Sequence, residues 1–308
     1  MALRARSIGL VAALVAMLGW GTGFPVIAMA LLRIDAYWLS AIRFGIALPI
    51  LAVLLWRQEG RSAFGFDGRW LLLIPIGVIG MCGNNVFMLV GIRLAGAEHA
   101  SLLFATVPLM TAFYLAARNR VAPAPISIGC FVAAFAGIAL VITRGNFSTF
   151  IHDRTLGGDL LVFLAALVWV GYTVERSQFP SWSSLRFTTV TLLVAEVAMI
   201  LVAAGATAFF HTPLPDGASI AAVGGPIVYS SLVPVIGAVV CYNEAIERIG
   251  ASSAALFLNG VPLVTFVFQA VRGIPLSPIE YAGAAITIVA LAINTLASRR
   301  PRNPAESR

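Results

Sequence analysis

Charge is scarce in this sequence. Charged side chains make up 11% of the 308 residues, against roughly 25% in a soluble domain. That leaves too little polar surface to keep the chain in water. Lysine is absent, so all twenty basic residues are arginine; nothing in the sequence gives a physical reason for that bias. The formal net charge of +7 invites a nucleic-acid partner, but the arginines stand singly between apolar runs, and nucleic acid is set aside. Cysteine is limited to Cys82, Cys130 and Cys241, each within an apolar run and without a CxxC or Cys/His pairing. They read as packing residues rather than as a metal site or a disulfide. Histidine occurs only as His99, His152 and His211. None is followed by Glu, so no HExxH exists. Gly157-Gly158-Asp159 is not a GxGD motif because Leu156 precedes it. A P-loop is missing too, which argues against ATP as an energy source. The sequence is therefore expected to encode no enzyme and to need no cofactor or metal.

What is present is apolar. Residues of the apolar set make up 60% of the chain and mean hydropathy is +0.95. The short alternating segments of a membrane β-barrel do not occur. Ten spans can be drawn, roughly 8–31, 37–56, 70–90, 97–117, 124–143, 159–175, 187–209, 219–241, 251–271 and 279–298. Arg4 and Arg6 before an apolar run resemble a signal peptide, and Ala28-Met29-Ala30 resembles a cleavage site. The run from Ser7 to Leu32 is too long for that, since such a core has about 7–15 residues. The expected fold is an all-α membrane protein.

The chain repeats itself. Gly96 to Arg118, GAEHASLLFATVPLMTAFYLAAR, returns 154 positions later as Gly250 to Arg272, GASSAALFLNGVPLVTFVFQAVR, with ten identities in 23 positions and no gap. Pro108 and Pro262 fall in register. Trp20 and Trp169 lie in a similar way within spans one and six, and the tenth span resembles the fifth in its Gly/Ala pattern. The polar stretch from Asn146 to Gly158 divides the chain into halves at 1–148 and 149–308. Five spans per half is an odd number, so the second half enters the membrane from the other side. The arginines agree. With the N-terminus cytoplasmic, Arg4, Arg6, Arg57, Arg61, Arg69, Arg118, Arg120, Arg176, Arg186, Arg248, Arg299, Arg300, Arg302 and Arg308 share the cytoplasmic side. Only Arg33, Arg93, Arg144, Arg154 and Arg272 face outward, and Arg43 lies within span two. This bias puts both termini in the cytoplasm.

LGWGTGFPVIAMAL (Leu18 to Leu31), AIRFGIALPIL (Ala41 to Leu51), the two repeat cores and GDLLVFLAALVWVGYTVERS (Gly158 to Ser177) together resemble the drug/metabolite transporter superfamily. The likeness is to its ten-span group with two EamA-type domains, and within it to the bacterial exporters of aromatic and other amino acids. The resemblance implies two inverted five-helix repeats around a central cavity, lined by spans one, three, four, six, eight and nine. It implies alternating-access export across a bacterial inner membrane, with a small-molecule substrate and membrane lipids as partners. A monomer is expected, with a dimer as alternative. The rival functions are export of another metabolite or drug, flipping of a lipid-linked sugar, or a sensor or scaffold role.

Candidate substrate contacts are Trp20, Asn84, Asn85, His99, Trp169, Tyr172 and Asn259. The indoles and Tyr172 lie too deep for the interfacial aromatic belt that explains Trp38, Trp56 and Trp70, and can wall an apolar side chain or simply pack. Asparagine amides suit a zwitterion, having both donors and acceptors, but also hydrogen-bond between helices. His99, beside Glu98, either faces the cavity or is wetted at a span end; histidine changes charge in the physiological range. Asn243 is another amide near a span end. Pro25, Pro108, Pro234 and Pro262 can serve gating or only shape the cavity. Arg43 and Glu196 are expected to be structural, Arg43 by snorkelling and Glu196 as a hydrogen-bonded carboxyl.

Overall fold

The computed structural model describes residues 2–143, 145, 155–274 and 277–297. Among them every regular element is helical. Hydrocarbon offers backbone groups no partner, and a helix satisfies its own. The crossings are α1 (Ala2–Ala30), α2 (Ala36–Glu59), α3 (Trp70–Ala95), α4 (Ala97–Arg118), α5 (Pro125–Thr143), α6 (Leu156–Gln178), α7 (Ser184–Phe210) and α8 (Gly224–Ile249). A ninth, α9, comes in two pieces, Ala251–Leu258 and Val261–Val271, and α10 is Pro278–Ala297. The first eight are long and apolar enough to cross a membrane. The 20 residues of α10 cover about 30 Å at helical rise, one bilayer core. Most of the connection from Asn146 to Gly158, the 148/149 division, and Arg144, Arg154, Arg299, Arg300, Arg302 and Arg308 lie outside the described residues.

The eighth crossing departs from its expected limits. Gly217–Ala222 is a separate short helix and α8 starts at Gly224. Gly224 and Gly225 are poor mid-helix residues, whereas Pro226 suits a first turn. At its other end α8 runs past the apolar stretch to Ile249, helped by an Arg248 Nε–Glu244 Oε1 pair one turn apart.

Helix neighbours reveal the symmetry. α5 packs along α10, α2 along α7, α3 along α6, and α8 along α1. Exchanging each helix for the one five places on maps this set onto itself. With an odd number of crossings per half, the two five-helix repeats are inverted. Local irregularities recur as well. Wide, π-type turns occupy Ile76–Gly83 in α3 and Ser231–Ala238 in α8. α4 breaks after Phe104 and α9 after Leu258. The joints from α3 to α4 and from α8 to α9 are single glycines, Gly96 at φ 94° and Gly250 at φ 81°, a backbone region that side chains resist.

Prolines decide several interhelical contacts. Pro25 has no N–H for the carbonyl of Gly21, and Thr265 Oγ1 of α9 donates to that oxygen at 2.7 Å. At the start of the wide turn that holds Pro234, the Ser230 carbonyl also accepts from Arg43 Nε and Nη2 of α2 at 3.2 and 3.0 Å. Each contact joins one repeat to the other. Pro108 and Pro262 sit in the first turn after a break, where no donor is required. Elsewhere close packing holds the bundle. A Cβ on Gly137 of α5 would stand 2.5 Å from the Gly283 carbonyl of α10, and one on Gly283 2.5 Å from the Gly137 carbonyl.

Two substitutions test these contacts away from any cavity. Thr265→Val should lower unfolding stability in detergent by about 1–2 kcal/mol, because the Gly21 carbonyl loses its donor. Gly137→Leu should cost about 1–3 kcal/mol by prising α10 from α5. Melting curves matching the parent would show that neither contact matters.

Candidate functional site

A cavity of about 80 Å³ lies where the two repeats meet. One ordered water needs about 10–15 Å³, so the space takes several waters or part of a small solute. α1 contributes Trp20, Gly23, Phe24 and Ile27 to its wall; α2 contributes Arg43 and Phe44; α3 contributes Met81, Asn84, Asn85, Met88 and Leu89. Phe104 comes from the end of the first half of α4, Trp169 from α6, and Pro234, Val235 and Val239 from α8. The π-type turns of α3 and α8 reach this wall, at Met81 and at Pro234 and Val235. Such turns widen a helix and occur often at functional sites.

Aromatic rings dominate the wall. Trp20 meets Trp169 edge-on at 6.0 Å and Tyr242 at 5.1 Å. Phe104 lies 6.2 Å from Trp169 and 6.1 Å from Phe24. Against this apolar background the polar atoms are few. Trp20 Nε1 donates to the Pro234 carbonyl at 3.1 Å, and Asn84 Nδ2 to the Ala165 carbonyl at 2.9 Å. Three more, Arg43 Nη1, Asn85 Oδ1 and Trp169 Nε1, are buried without a hydrogen-bond partner among the described residues.

Of the residues singled out from sequence, Trp20, Asn84, Asn85, Trp169 and Pro234 come together in this wall. Tyr172 lies behind it, stacked on Trp169 at 4.9 Å. His99 is outside the wall, its Nδ1 3.1 Å from Asp159 Oδ1, while Thr155 Oγ1 donates to Asp159 Oδ2 at 3.2 Å. Neighbouring Glu98 accepts from Gln269 Nε2 of α9. Asn259 occupies the break of α9, buried, with neither amide atom partnered among the described residues. Pro25, Pro108 and Pro262 are also outside the wall. Among the described residues α2 adds Arg43 and Phe44 to the lining, and no described residue of α9 takes part in it.

Arg43 differs most from expectation. It does not snorkel: it is 2% exposed, enclosed by the bundle, and lines the cavity. Glu196 keeps one oxygen, Oε2, without a partner among the described residues. Phe24, Phe44, Phe104 and the Met81–Met88 pair were not distinguishable from ordinary apolar residues in the sequence. Arg43 was visible as a lone charge deep in an apolar run.

Beyond Tyr172 the rings continue as a plug. Tyr172 contacts Phe187 at 5.3 Å, Phe187 contacts Phe179 at 5.5 Å, and Phe179 contacts Trp182 at 5.1 Å. Guanidinium groups cover its outer faces, with Arg176 over Phe187, Arg69 over Phe179 and Arg186 over Trp182 at 5.1, 5.3 and 4.0 Å. A polar latch closes that end, joining the α2–α3 connection to the α6–α7 connection. Asp67 accepts from Arg186 Nη2 at 2.9 Å and from Trp182 Nε1 at 2.8 Å. Glu59 accepts from Ser183 Oγ. The Arg186 hydrogen bond first, then that of Trp182, holds the Asp67 carboxyl below the usual aspartate range.

Comparison with known proteins places this architecture. The profile of the EamA-like transporter family matches twice, over residues 7–143 and 156–296. The uncharacterized transporter YrdR of Bacillus subtilis (strain 168) is 30% identical over 297 residues, 95% of this chain and 92% of that one. A second uncharacterized transporter of the same organism, YyaM, is 28% identical over 253 residues, 81% of each chain. A crystal structure sharing 21% identity superposes with a TM-score of 0.68, over 96% of this chain and 100% of the other, which shows a common fold.

The latch can be probed at Asp67. A carboxyl with a depressed pKa keeps its contribution above the ordinary range and loses it only as pH falls through the lowered value. Backbone amides of residues 60–69 should therefore keep the same exchange protection at pH 5 and pH 7 in the parent. Asp67→Asn tolerates the left-handed backbone at φ 48° but drops the charge facing Arg186. Protection should fall in this variant at both pH values; unchanged protection would show that the ion pair does not close this end.

Proposed function

The chain belongs to the EamA-like transporter family, and from that premise we propose that it exports small neutral amino acids, aromatic ones among them, by alternating access. The observation carrying this reading is the cavity at the junction of two inverted repeats, walled by Trp20, Phe24, Phe104 and Trp169 with a few unpartnered polar atoms. Sites in inverted-repeat transporters lie near the midplane where the repeats meet. Aromatic rings suit an apolar or aromatic side chain, while buried polar atoms suit the charged ends of an amino acid. The plug and latch separate the cavity from one end of the bundle. Rocking of one repeat against the other would part the Asp67–Arg186 latch and expose the cavity there.

Counterflow in proteoliposomes with a panel of labelled amino acids tests the cargo. Phenylalanine or tryptophan should exchange, and Trp169→Ala should slow that exchange roughly tenfold while leaving folded protein. Absence of exchange for the whole panel would remove amino acids as the cargo.

Orientation is part of the proposal. Both termini are assigned to the cytoplasm of an inner membrane, on the strength of the fourteen arginines on that side against five on the other. A phosphatase fused within residues 146–158 should be active, and one fused after Arg302 inactive. The opposite pattern would overturn this orientation.

A further inference from the structure

Arg43 is a cation held without an anion. Its guanidinium is enclosed in the membrane part of the bundle, and no carboxylate among the described residues pairs with it. Its bonds to the Ser230 carbonyl use Nε and Nη2. This leaves Nη1 without a partner beside the cavity. Glu196, the buried acid of the repeat-related helix α7, does not supply the missing charge. It approaches α2 at Gly45, where an added Cβ would stand 3.1 Å from Glu196 Oε1. A buried charge is costly unless paired and hydrogen-bonded.

We propose that Arg43 anchors a carboxylate of the cargo, with Trp169 Nε1 as a second donor and Asn85 Oδ1 accepting from the cargo's ammonium group. The inference rests on the transport reading and assigns the polar ends of the same cavity. Arg43 Nη1 and Trp169 Nε1 can only donate, which matches an acceptor-only carboxylate; Asn85 Oδ1 can only accept, which matches an ammonium. One guanidinium balances one negative charge. A phosphate carrying close to two negative charges would remain uncompensated here, and an amine without a carboxylate would leave Arg43 unpaired. The structural bond to Ser230 fixes the orientation of the planar guanidinium, so its remaining edge is aimed before the cargo arrives. Such preorganisation reduces the ordering cost of binding.

The test is binding to the purified full chain in nanodiscs, read by tryptophan fluorescence and by the melting midpoint. The probes are phenylacetate and phenylalanine against phenylacetamide and phenylalanine amide. The parent should bind each carboxylate about ten- to a hundredfold more tightly than its amide. Arg43→Gln should erase that preference, and Arg43→Lys, which retains charge but not the planar fork, should keep part of it. Equal binding of acid and amide by the parent, or no binding of either, overturns the proposal. So does a carboxylate preference that survives in Arg43→Gln. Should that variant fail to fold, the acid-against-amide comparison on the parent and on Arg43→Lys still decides. Binding needs no turnover, so this outcome is independent of counterflow. Exchange of amines with no preference for acids would sink the anchor and leave transport standing.

Discussion

A proline inside a membrane helix leaves a carbonyl four residues back without its usual donor, and no water is at hand to replace it. Much of this bundle depends on how that demand is met. Thr265 serves the oxygen freed by Pro25, and Arg43 donates to the Ser230 carbonyl where α8 widens around Pro234. In both cases the donor comes from the opposite repeat. The prolines therefore do more than bend helices: they create acceptors that specify which neighbour must stand beside them. Pro234 then participates twice, since its own carbonyl accepts from Trp20. The widened stretch of α8 thus offers two carbonyls to the other repeat, and both donors, Arg43 and Trp20, line the cavity.

The same arrangement divides labour across the bundle. Near the cavity, interhelical bonds are few and rings are many, so most contacts can slide or re-pack without stranding a polar atom. Towards the latch, guanidinium groups cover the rings and pair with Asp67, and at the opposite end Arg93 pairs with Asp35 at 2.6 Å. His99 and Glu98 tie the start of α4 to α6 and α9. Charge is thus kept to the ends, where water and salt can lower the cost of breaking a pair. Arg43 and Glu196 are exceptions, ionisable side chains buried within spans.

Most of the architecture was legible in the sequence because hydrocarbon leaves few options. Length and apolarity marked the spans, the Pro108/Pro262 register marked the duplication, and an odd number of crossings per half required inversion. The cavity was legible only where unusual residues line it, as with Trp20, Asn84, Asn85, Trp169 and Pro234. Phenylalanines and methionines of the wall look the same as those facing lipid, since a membrane helix is apolar on both sides and periodicity loses its meaning. His99 could not be placed because its partner, Asp159, is 60 positions away and sits at the start of another span. Arg43 was misjudged because its acceptor, the Ser230 carbonyl, lies 187 positions away and became visible only once α2 and α8 were side by side.

The glycine contact between α5 and α10 bears on how the molecule is made. α10 emerges from the ribosome after the other nine helices, yet its backbone lies directly against the backbone of α5. Until then, Gly137 and its small neighbours have lipid tails where a helix belongs, and the first repeat remains open along one side. The α5–α10 contact joins the first repeat to the last helix of the second, so it can form only when the whole chain has been made. Small residues suit such a late pairing, since they let two helix backbones approach closely.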